Sequence, residues 1–121
     1  MEEIAKFIAT LMASRNQAHV FHLQTTSFAA HKALDDYYSG IVDLIDSYAE
    51  FAQGRYGIIT GYSATSMALI EDGNSLKYFM GLQKFVDSIR QTLPQDGELN
   101  NTVDEISGLI SSTVYKLKFL K

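Results

Sequence analysis

An all-α four-helix bundle is the fold this sequence predicts, on three observations. Long stretches carry apolar residues at the three- and four-residue spacing of an amphipathic helix. Those stretches hold no cluster of turn residues, and Pro94 is the one proline. Turn signals fall between them, at Thr25-Thr26-Ser27, across the glycine-punctuated segment 54–74 and at Pro94-Gln95-Asp96-Gly97. At 121 residues the chain suits a single domain, 1–121, around one hydrophobic core.

The first helix is expected over residues 2–24, where Ile4, Phe7, Ile8, Leu11 and Met12 begin a stripe that Ala18, His19 and His22 continue. Both histidines are thereby placed toward the interior. Thr25-Thr26-Ser27 offers N-cap hydroxyls for a second helix from about Phe28 to about Gln53. Leu34, Tyr37, Tyr38, Ile41, Leu44, Ile45, Tyr48 and Phe51 give it an apolar face wider than one core contact needs, which points to a subunit interface. Gly54 is expected to end it. Residues 54–74 read as a crossover carrying a short helix near Thr65–Glu71, a long connection that suits second and third helices that are not antiparallel neighbours. Asn74 or Ser75 caps a third helix with Leu76, Phe79, Met80, Leu82, Phe85, Val86, Ile89 and Leu93 inward, ending near Leu93 because Pro94 disfavours helix before it. The fourth, about Glu98–Phe119, is expected to bury Leu99, Val103, Ile106, Leu109, Ile110, Thr113, Val114 and Leu117. Lys116, Lys118 and Lys121 are expected at its last turn, against the helix dipole.

Composition excludes several function classes. The chain is 46% hydrophobic and 20% charged, ordinary for a globular protein. Its formal charge is −4 and it has no run of Lys or Arg, so DNA binding through a basic tail is not expected. No apolar run approaches the roughly 20 residues that span a bilayer, so no membrane partner is expected. The N-terminal stretch starts acidic, unlike a secretory signal, and a cytoplasmic location is the default. The absence of cysteine rules out disulfides and thiolate metal sites.

The stretch HVFHLQTTSFAAHKALDDYYSGIVDLIDSYAE, from His19 to Glu50, carries the chemistry. It holds all 3 histidines and two ligand pairs spaced four residues apart, His31/Asp35 and Asp46/Glu50. Residues at that spacing share a helix face about 6 Å apart, so each pair suits one ion. Nitrogen and carboxylate ligands together suit iron, manganese or zinc. About 22 Å of helical rise separates His31 from Asp46 on one continuous helix, so one chain cannot bring both pairs to one metal. Two copies packed antiparallel about a two-fold axis can, each pair facing the other's complement. The axis then falls near Gly40 and Ile41, where glycine permits close approach, with Tyr37, Tyr38, Ile41 and Tyr48 in the interface. The competing reading is a solvated acidic face on Asp35, Asp36, Asp43, Asp46 and Glu50, beside two hydrogen-bonded core histidines.

This run resembles the signature of the Dps family, the DNA-binding proteins from starved cells. The matching residues are His19-Val20-Phe21-His22-Leu23, then Phe28-Ala29-Ala30-His31 with Asp35, then Asp46 and Glu50. The spacing fits without a gap from His31 onward. Leu23 stands where the family usually has Trp, and the connection from His22 to His31 is shorter than usual, so His19 stays an alternative to His22. The resemblance implies a ferritin-like four-helix bundle, a miniferritin whose ferroxidase site lies between subunits. His22, His31 and Asp35 would come from one subunit, Asp46 and Glu50 from its two-fold mate, and these five residues would be both metal ligands and catalytic residues. It further implies oxidation of Fe(II) by hydrogen peroxide or oxygen, storage of ferric iron in a homo-oligomer up to a dodecameric shell, and protection against oxidative stress. Zinc or manganese could occupy the same ligands. The alternative from a different class is a non-catalytic structural or interaction bundle that keeps the fold.

Overall fold

The computed structural model describes residues 1–70 and 73–121, and Glu71, within the expected short helix, lies outside that set. The described residues form four α-helices, α1 Glu2–Gln24, α2 Phe28–Tyr56, α3 Ser75–Ile89 and α4 Gly97–Phe119, with single 3-10 turns at Thr65–Met67 and Arg90–Thr92. Among them there is no strand, and no helix is long and apolar enough to cross a membrane.

Capping chemistry sets most boundaries. The Ser27 hydroxyl accepts from the Ala30 N–H at 3.2 Å and opens α2, and the Asn74 side chain does the same for the Lys77 N–H at 3.2 Å and opens α3. Helix α2 runs past Gly54, which is helical. It stops at Gly57, whose φ of 89° L-residues avoid, so the C-terminal glycine expected at 54 acts three residues later. The third helix loses its α form at Ile89 and tightens into the 3-10 turn before Leu93 turns extended ahead of Pro94.

Side-chain bonds give the helix directions. Lys116–Asp36 and Arg55–Glu98 join opposite ends of α2 and α4, so those two are antiparallel. Gln83–Ser111 and Arg90–Asp104 make α3 antiparallel to α4 as well. Helices α2 and α3 are therefore parallel, and the long connection 57–74 must travel the length of the molecule. Its described part runs along α1, where the Ile70 N–H donates to the side-chain Oε1 of the buried Gln17 at 2.8 Å. Contacts run from α1 to α2, α2 to α4, α4 to α3 and α3 back to α1, a closed four-helix bundle.

The core explains the width of the apolar face on α2. Tyr37, Ile41 and Tyr48 are fully buried within this one chain, Tyr37 edge-on to Phe79 at 4.7 Å and Tyr48 edge-on to Phe7 at 4.9 Å. A helix in the middle of a bundle faces two neighbours, α1 and α4, and needs a face that wide. The expected subunit interface through Tyr37, Ile41 and Tyr48 is thus corrected: these rings are core. Gly40 faces α4 in this one chain, where a Cβ would make an ordinary contact with the Leu109 side chain at 3.4 Å.

Candidate metal centre

Helix α1 ends and α2 begins around the turn 25–27, and this reversal sets His22 beside His31. Their rings stack with centroids 3.7 Å apart and planes 20° apart. The His22 Nδ1 lies 2.8 Å from the His31 carbonyl oxygen, and the His31 Nδ1 lies 2.9 Å from the His22 carbonyl oxygen. A carbonyl only accepts, so each Nδ1 donates its N–H, and a neutral ring then keeps its lone pair on Nε2. A backbone carbonyl on Nδ1–H is a common device for orienting a metal-ligating histidine. The same bond has a structural use. The His22 carbonyl is in the last turn of α1, where no helical N–H follows to meet it, and His31 meets it instead.

Around this pair stand His19, Tyr38 and Asp35. His19 stacks on Tyr38 at 4.4 Å with planes 17° apart and lies 6.0 Å from His22, while Tyr38 meets His22 edge-on at 5.3 Å. Asp35 lies one turn beyond His31, accepts from the Ser39 hydroxyl at 3.4 Å, and adjoins Tyr38. Partial burial, and then the Asp35 carboxylate, raise the Tyr38 phenol above its ordinary pKa. Tyr38 was not read as a site residue from sequence, although its spacing from Asp35 and His31 (three and seven residues) places it on their face.

Asp46 and Glu50 are exposed, farther along the same unbroken helix. Asp46 lines a groove of about 380 Å³ with Met12, Arg15, Asn16, Val42, Ile45 and Met67. His31, Asp35, Tyr38, Val42 and Asp46 form one stripe along α2, and Val42 and Asp46 of it line the groove. The structure thus brings His22 and His31 together, with His19 one ring away and Asp35 one helical turn along α2 from His31, and leaves Asp46 and Glu50 about 22 Å distant by helical rise. Among the described residues no group of three or more His, Asp or Glu within the chain is close enough to hold an ion. The ring planes add a limit. A nitrogen lone pair lies in its ring plane, so two rings only 20° from parallel do not converge on one ion. Each would bind its own, or one ring would have to turn.

No solved structure matches the chain. An uncharacterized 14.6 kDa protein from the mobD–ri intergenic region of Enterobacteria phage T4 is 28% identical over 112 residues, which cover 93% of this chain and 85% of that protein. The profile of DUF5856, a family of unknown function, matches residues 22–117, a span that holds every candidate ligand except His19, and the chain belongs to that family.

Proposed function

We propose that the protein is a miniferritin-like ferroxidase, with Fe(II) as substrate taken at half-sites that a second copy completes. The observation that carries this reading is the His22–His31 pair, each Nδ1–H donated to a backbone carbonyl and each Nε2 lone pair left for an ion of its own, with Asp35 one turn along α2 from His31. Two supports stand beside it. Asp46 and Glu50 share the stripe of His31 and Asp35 on an unbroken helix, so an antiparallel second copy sets carboxylates opposite the histidines. The parallel α2 and α3, joined by one long crossover, support a ferritin-like reading of the bundle.

The chemistry follows from the donors. Each histidine takes one Fe(II), and the carboxylates stabilise the Fe(III) product by charge. Two Fe(II) each lose one electron to one hydrogen peroxide, whose O–O bond breaks to give two waters with two protons taken up. Oxygen is the other oxidant. With Tyr37, Ile41 and Tyr48 in the core, the copies meet along the outer stripe between Tyr38 and Val42. Anaerobic Fe(II) titration followed by peroxide is expected to give ferric absorbance, and Glu50→Ala to abolish it. A wild-type protein that takes up no iron sinks the proposal.

One observation favours a second reading. The reciprocal histidine bonds also close the α1–α2 turn, as a non-catalytic interaction bundle would use them. Size exclusion with metal analysis separates the two, a metal-free monomer supporting the second.

A further inference from the structure

The face on which a second copy is proposed to pack carries more carboxylates than cations. Along the outer side of α2 stand Lys32, Asp35, Asp43, Asp46 and Glu50, while Asp36 is held by Lys116 of its own chain at 3.5 Å. Helix α1 adds Arg15, which lines the groove beside Asp46, and the described part of the crossover, 57–70, carries no ionised group. Four carboxylates thus stand beside two cations, and none of the six is in an ion pair within the chain among the described residues. His31 and Asp35 are four residues apart, as are Asp46 and Glu50. An antiparallel copy that sets Glu50 opposite His31 therefore also sets Asp46 opposite Asp35, carboxylate against carboxylate, twice across the two-fold axis. Like charges so placed repel. Apolar burial offsets little of this. The side chains left for it are Tyr38, Val42 and Met12, all half-buried, and Met67, which is 38% exposed. They fall well short of the roughly 800 Å² that each partner buries in a stable interface.

We infer, resting on the shared site proposed above, that the ions themselves join the copies: the chain is a monomer without a divalent cation, and Fe(II) at the facing Asp35 and Asp46 carboxylates converts it to a dimer. A cation between facing carboxylates turns their repulsion into attraction. The His22 and His31 Nε2 lone pairs favour metals that accept nitrogen ligands. Among the described residues no three His, Asp or Glu side chains of one chain are close enough to hold an ion, so a fuller set of ligands requires both copies. An ion that binds the pair more tightly than the single chain shifts the equilibrium toward the pair by linkage. With two sites per dimer and free ion at about ten times each site's dissociation constant, association strengthens about a hundredfold. The site is then assembled by its own substrate, and oxidation starts only when Fe(II) is at hand. At protein concentrations below the dimer dissociation constant, the rate rises as the square of that concentration.

The test is the mass of the full chain in solution, first stripped with a chelator and then supplied anaerobically with Fe(II), or with redox-inert Zn(II). The stripped chain is expected at 13.5 kDa and the loaded chain at twice that, with return to the monomer when chelator is added again. Mg(II), which takes oxygen ligands and not imidazole, should leave it monomeric, and so should sodium chloride alone. Asp46→Ala with Glu50→Ala, both at exposed positions, should keep its helices by far-ultraviolet circular dichroism and stay a monomer with Fe(II). Four results overturn the inference: a dimer in chelator, a dimer in Mg(II) or salt alone, Fe(II) bound to a chain that stays monomeric, or an ion-driven dimer that survives the double substitution. A dimer in chelator that still oxidises Fe(II) leaves the ferroxidase reading standing. A chain that remains a metal-free monomer with Fe(II) supplied overturns both, in favour of the non-catalytic bundle.

Discussion

Tyr37 and Tyr48 are both fully buried on α2 and differ in the company of one atom. The Tyr37 hydroxyl lies 2.7 Å from Ser14 Oγ, which already donates its one proton to the Leu11 carbonyl at 2.6 Å, so Tyr37 is the donor between them. The Tyr48 hydroxyl has no partner among the described residues. Removing a satisfied buried hydroxyl and removing an orphaned one have opposite signs. Tyr37→Phe should therefore lose about 1 kcal/mol, and Tyr48→Phe should be neutral or gain about 1 kcal/mol, as read from urea unfolding. The same burial acts on proton affinity. It raises the Tyr37 phenol, and it pushes Tyr48 and Tyr78 up to about 12. The unfolded chain releases these protons near pH ~10, so the folded state holds more protons above that point. Their stabilisation is complete below about pH 10 and declines as pH rises through about 12. The urea midpoint is expected to fall steadily across that window and to stay level, as far as these groups are concerned, just below it.

The helices show how local chemistry and packing divide the work. Gly54 lies inside α2 with open space where a Cβ would stand, whereas Gly57 holds φ 89° just past its end. Gly54→Ala should raise stability by about 0.5–1 kcal/mol because alanine favours helix. Gly57→Ala should lower it by about 1–2 kcal/mol because an L side chain is strained there. Thermal unfolding of the two variants checks both signs. Sequence alone placed the stop at Gly54, the first glycine after the apolar stripe. The Arg55 and Tyr56 side chains carry the helix onward, by reaching Glu98 and Asp96 at the start of α4. Those partners lie 40 and 43 positions away and leave no local signal.

At the scale of the molecule, the proposed function makes the candidate centre half a site on each copy. That has a consequence for mixtures. His31→Ala and Glu50→Ala chains should each be inactive alone. Mixed in equal amounts and allowed to exchange, half the dimers are hybrids with one intact site of two, so about a quarter of wild-type ferroxidase activity should return. Recovery of no activity, with exchange shown by mass spectrometry, would argue against a shared site. The burial of Tyr37, Ile41 and Tyr48 removes them from any surface a second copy could meet, so the proposed pairing would rest on Tyr38, Val42 and Asp46.

By itself the sequence determined the helices and the linear spacing of their ligands. Apolar periodicity, Ser27, Asn74 and Pro94 are local instructions, and α1 follows them over residues 2–24 as the pattern predicts. The His31/Asp35 and Asp46/Glu50 spacings are equally local, and the unbroken α2 keeps them two separate pairs. Only the tertiary structure decided which apolar face was core, because burial depends on neighbours brought from elsewhere in the chain. It likewise decided that His22 stacks on His31 while His19 stacks on Tyr38, since α1 and α2 must first pack antiparallel before any ring meets another.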